Sequence, residues 1–130
     1  AIASVKHALA KAELPVPNGP FEIAEGNPKT ALVLFPGLDD SGNLIQTGTL
    51  EDLCLTTVEN QPMLDCVDAF LSCCKDVGAD MRHRHKMKLH TYLAGHDKFV
   101  GKKIGEAAQA GAWDWDHSRM KPFKQLLCAL

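Results

Sequence analysis

Residues 30–37, Thr-Ala-Leu-Val-Leu-Phe-Pro-Gly, are the most β-like run in the chain. From Ala31 to Phe35 the run is apolar without interruption. A strand with one wet face alternates in polarity, so an unbroken apolar run predicts a strand covered on both faces. Such a strand also needs neighbours on its edges, because an open edge leaves backbone N–H and C=O groups unpaired. The only other strand-like stretch is the weakly alternating Phe21 to Ala24. At the amino end, Ala-Ile-Ala-Ser-Val-Lys enters a helical pattern with no cap or lead-in. The expectation is a single domain over 1–130 that is part of a larger α/β unit. Its buried strand would need further strands beside it.

The remaining pattern is helical. Ile2, Val5, Leu9 and Ala12 recur at helical spacing, and the Pro-rich Leu14–Pro20 stretch stops that helix near Glu13. After a Gly/Asp/Ser/Asn-rich loop reaching Thr47, Leu50, Leu53 and Thr57 mark a second helix. Met63, Cys66, Val67, Phe70, Leu71, Cys74 and Val77 mark a third with one apolar face. Met81, His85, Leu89, Tyr92 and Leu93 mark a fourth, ended by Gly95. Ile104, Ala107 and Ala108 mark a short fifth, and Met120, Phe123, Leu126, Leu127 and Leu130 a last amphipathic one.

The net charge of −2 gives no whole-chain argument for nucleic acid or an anionic membrane. Acids nevertheless crowd Asp39 to Asp80, where Lys75 is the lone base, and bases crowd Arg82 to Lys103, where Asp97 is the lone acid. No apolar run approaches the roughly 20 residues of a membrane helix, and no signal peptide is visible. The odd number of cysteines, 5, mostly at apolar helix positions, predicts reduced core thiols in a cytoplasmic protein.

Two readings apply to Glu51 and Asp52. Thr49 with an acid three residues on is a capping-box pattern, and acids in a first helical turn complement the helix dipole. Alternatively, the loop after the apolar run lies where α/β sheets gather ligands, at the carboxyl end of a strand. There Asp39, Asp40, Glu51 and Asp52 would offer the hard oxygen ligands that suit Mg²⁺.

In Met81–His90, His83 and His85 point about 200° apart on a helix and cannot share a metal. Arg84, Lys86 and Lys88 could meet nucleic-acid phosphate or form a solvated face. Asp116, in Trp113-Asp-Trp-Asp116, fits an N-cap for the last helix, with Trp113 and Trp115 packing the turn. No phosphate-binding Gly-rich loop and no nucleophile elbow occur.

Three stretches, Thr30–Leu55, His83–Gly95 and Lys103–Leu127, resemble in order and spacing the carboxyl-terminal half of an uncharacterised prokaryotic family of Toprim-like proteins. Leu50-Glu-Asp-Leu53 and Ala112-Trp-Asp-Trp-Asp-His117 are the specific parts. The resemblance implies that residues 1–130 are the carboxyl-terminal part of a helix-rich three-layer, Toprim-like α/β sandwich, incomplete without upstream strands and distantly akin in fold to the Toprim domains of OLD-type nucleases. It also implies Mg²⁺-dependent phosphoryl transfer on nucleic acid, whose principal acids would lie upstream of Ala1. Glu51 and Asp52 match the family's helix start, whereas the loop reads Pro-Gly-Leu-Asp-Asp and displaces Asp39 and Asp40. The expected metal residues are then Glu51, Asp52 and Asp40, and the expected phosphate contacts Arg84, Lys86 and Lys88. The alternative is a non-catalytic interaction or assembly module without a metal site, forming a homo-oligomer or holding a partner.

Overall fold

The computed structural model describes residues 2–130. Helix α1 spans Ile2–Lys11. Strand β1 (Ile23–Ala24) pairs antiparallel with β2 (Thr30–Ala31), in the register Ile23↔Ala31 and Ala24↔Thr30. Helices α2 (Leu50–Thr56), α3 (Met63–Asp76), α4 (Arg84–Ala94) and α5 (Ile104–Gln109) follow. A 3₁₀ turn at Ser118–Met120 runs directly into α6 (Lys121–Ala129). The chain is therefore a helix-rich α/β structure with one very small sheet.

The helices match their apolar periodicity because that periodicity has somewhere to go. Leu64, Val67 and Leu71 of α3 are buried, as are Leu89, Tyr92 and Leu93 of α4. Cys54, Leu55 and Val58 close the same cluster from the α2 side, and Phe99, Ala107, Ala112 and Trp113 cap it. The Trp113 ring stacks on Tyr92, with centroids 6.0 Å apart. Each large side chain buried here contributes roughly 1.5–3 kcal/mol. Helix α3 ends where Gly78 takes φ 86°, a left-handed conformation that lets the Ala79 amide reach back to the Cys74 carbonyl.

The apolar run departs from expectation. Only Thr30 and Ala31 enter the ladder, and Leu32 makes a single parallel bridge to Pro20. Leu32 is buried, whereas Phe35 is 37% exposed. A strand covered on both faces needs partners on both edges, and among the described residues the only neighbour is Pro20–Ala24. Pro20 has no N–H to extend that pairing. Among the described residues, no backbone hydrogen bond engages Val33, Leu34 or Phe35.

The thiols also differ. Cys54 alone is buried, while Cys66, Cys73 and Cys128 are exposed. Helix α3 packs through a narrower stripe than its apolar residues span, which leaves Phe70 (53%) and Val77 (79%) outside it. The acidic and basic stretches meet across α3 and α4, where Lys88 bonds Asp68 at 2.7 Å and Arg84 bonds it at 3.4 Å. No helix among the described residues is long and apolar enough to cross a membrane.

Candidate functional site

The loop leading to α2 is built from local polar chemistry. Asp39 Oδ1 accepts from the amides of Ser41 (2.9 Å) and Asn43 (2.8 Å). The Asn43 amide, first among these contacts, holds the Asp39 carboxyl below its ordinary value. The neighbouring Asp40 is exposed and accepts from the Ser118 hydroxyl at 3.1 Å. Gly48 then takes φ 132°, and a Cβ there would lie 2.7 Å from Pro36. Glycine at this point lets the loop close against Pro36 before α2 begins.

Asp52 serves the helix start. Its Oδ2 accepts from the Thr49 amide (2.7 Å) and the Thr49 hydroxyl (2.9 Å), so the capping expected from this spacing is present. Glu51, on the same turn, enters none of the side-chain hydrogen bonds or ion pairs among the described residues. Burial pushes the Cys54 thiol up to about 11, with the Glu51 charge adding to the effect. Asp40 is thus held by Ser118 and Asp52 by Thr49, leaving Glu51 as the unengaged carboxylate of the three. Among the described residues, no group of three or more His, Cys, Asp or Glu side chains converges to hold a metal ion.

The basic residues divide similarly. Arg84 and Lys88 both engage Asp68, whereas Lys86 is exposed without an ion pair. The His83 and His85 rings meet edge to face with centroids 6.4 Å apart. His85 is half-buried, while His83 caps no amide of α4.

At the turn before α6, Asp116 is not the cap. His117 Nδ1 accepts from the Arg119 amide at 3.2 Å instead, and Asp116 bonds Lys124 at 2.9 Å. The turn places this ring nitrogen one residue closer to that amide than the Asp116 carboxylate. Trp113 is buried as expected, but Trp115 is 41% exposed. The Asp114 amide donates to the buried Thr57 hydroxyl at 3.3 Å, which fixes the turn to the end of α2.

Two features had no sequence signal read for them. A shallow cleft of about 320 Å³ is lined by Asp52, Glu59, Asp65 and Asp68 with Lys88. A wholly apolar cavity of about 230 Å³ lies between the apolar run, α2, α5 and α6. Gly105 lines it, and this glycine inside a helix was the available clue.

A family described as "Protein of unknown function (DUF3226)" matches residues 1–130. No curated protein matches the chain, and no solved structure does.

Proposed function

From the premise that this chain belongs to the DUF3226 family, we propose that it is a non-catalytic assembly module that accepts an added β-strand along Leu32–Phe35. The carrying observation is the backbone of Val33, Leu34 and Phe35, which bonds to nothing among the described residues although the side chains are apolar and only partly covered. An incoming strand would pair those N–H and C=O groups and remove apolar surface from water together. The same run in a second copy meets this chemistry, because an isologous contact needs a patch that complements itself. Strands added here would enlarge the small sheet towards the three-layer, Toprim-like sandwich. Sedimentation together with amide exchange tests the reading. A concentration-dependent dimer with slowed exchange at 33–35, lost in Val33→Pro, is expected. A monomer at all concentrations, with those amides exchanging freely, overturns it.

A second reading is favoured by the unengaged Glu51 carboxylate. Mg²⁺ keeps several waters and often takes only one or two carboxylates plus substrate phosphates. In a Toprim-like Mg²⁺-dependent nuclease acting on nucleic acid, Glu51 and Asp40 would supply such oxygens. Lys86, with Lys88 and Arg84 drawn off Asp68, would meet phosphate. Among the described residues the three acids do not form a complete ligand set, so the reading rests on oxygens from elsewhere. A calorimetric Mn²⁺ titration decides: heat that disappears in Glu51→Ala supports it, and no heat at millimolar metal leaves the assembly reading alone.

A further inference from the structure

Three of the exposed large hydrophobic residues, Phe35 (37%), Leu50 (37%) and Trp115 (41%), come from separate parts of the chain and line one cavity. Single exposed apolar residues need no explanation, but convergence of three on a hollow does. The cavity measures about 230 Å³, and its walls include Leu53 and Phe123. That exceeds the roughly 150 Å³ of an apolar cavity that admits benzene. Gly105 opens onto it, and a Cβ built there meets nothing within 4 Å.

Trp115 also borders a second, open groove of about 410 Å³, whose wall on α6 carries Lys121 and Lys124. Lys124 donates to the Trp115 carbonyl at 3.2 Å and to Asp116 at 2.9 Å. The Asp116 side chain is 94% exposed, so that ion pair competes with water and yields to another anion. Lys121 is exposed and enters no ion pair among the described residues. Trp115 thus lines both the apolar hollow and the groove to which Lys121 and Lys124 belong.

We propose that this pair of spaces binds a small amphiphilic anion, with an aromatic or acyl body in the apolar cavity and one negative head on Lys121 and Lys124. The charge on the wall selects an anion over a cation or a neutral hydrocarbon. The cavity's size limits the body to about one or two rings or a short acyl chain. The cavity is formed within one chain and shares Phe35 with the run proposed to take a strand, so probe binding is read at concentrations where the chain is monomeric.

Anilinonaphthalene sulfonate is the anionic probe and N-phenylnaphthylamine its neutral counterpart. Saturable fluorescence enhancement by the sulfonate is expected, with quenching or shift of the emission of Trp113 and Trp115, both of which line the cavity. Gly105→Leu fills the hollow and replaces a helical glycine, so sulfonate affinity should fall more than tenfold while the melting midpoint holds or rises. Lys121→Glu with Lys124→Glu should weaken the sulfonate severalfold and leave the neutral probe unchanged. Unchanged sulfonate binding in folded Gly105→Leu overturns the proposal, as does absence of saturable binding. If Gly105→Leu lowers the midpoint, the lysine pair decides alone, and equal losses for both probes overturn it.

Discussion

Asp52 shows how one carboxylate can look functional and be structural. Its Oδ2 takes two donors from Thr49, which anchors the first turn of α2. Asp52→Ala should lower stability by about 1 kcal/mol, the usual worth of a helix-start cap. Glu51→Ala, beside it, should stay within about 0.5 kcal/mol, since Glu51 enters no side-chain hydrogen bond or ion pair among the described residues. Chemical denaturation of the two variants separates the roles. Cys54 carries a second residue-scale consequence. Its folded value, raised from 9.0 to about 11, favours the protonated thiol in the native state. Above pH 9 the unfolded chain loses that proton first, so the contribution is intact below pH 9 and declines as pH rises to about 11. The denaturation midpoint should fall across that window in the native chain and fall less in Cys54→Ala. At pH 8, Cys66, Cys73 and Cys128 should react with a thiol reagent well before Cys54.

At the scale of elements, α3 defines what periodicity reveals. Its apolar residues span two adjoining faces, and the fold buries only the one carrying Leu64, Val67 and Leu71. Leu71→Ala should cost roughly 2–5 kcal/mol, because Leu71 is 0% exposed. Phe70→Ala, one residue away, should stay within about 0.5 kcal/mol. Paired denaturation curves read the contrast. All six helices are legible in the sequence, since the spacing of Leu, Val, Met and Ala residues records a face before any partner is known. The strand is not, because a strand is defined by what lies beside it. Thr30–Phe35 has β composition, yet its neighbour begins at Pro20 and offers a ladder of two residues. The candidate site divides the same way. Capping by Asp52 is local and readable three residues from Thr49. The Asp40–Ser118 and Arg84–Asp68 contacts join distant stretches, and no spacing rule announces them.

Over the whole molecule, burial is uneven in a way that orders its stability. The continuous apolar cluster runs from Cys54 to Trp113 and involves α2, α3, α4 and α5. Helix α1 buries no residue, and between α1 and α2 the buried residues are Pro17, Leu32, Pro36 and Gly37. Specific contacts that join the amino-terminal arm to the rest include the edge-to-face pair Phe35–Phe123 at 6.1 Å, Lys29 on the Ala129 carbonyl at 3.2 Å, and Asp40 on Ser118, and Phe21, Ile23 and Leu38 border a groove with Leu126 of α6. Two of these are exposed polar bonds, worth about 1 kcal/mol each at most. A helix of 10 residues without a buried face is marginal alone. The arm should therefore open at a lower free energy than the helical body, as a separate cooperative unit. Amide exchange should protect α3 and α4 to the global limit and leave α1 and residues 30–45 far less protected. Limited proteolysis should cut first between Gly37 and Gly48, where the loop is exposed and polar, and leave a fragment that keeps the helicity of α2 to α6. Covering the edge at Val33–Phe35 ties the arm down, so the same cleavage should slow as the chain assembles. Cleavage at a rate independent of protein concentration, with uniform protection across arm and body, would mean that the arm belongs to the core after all.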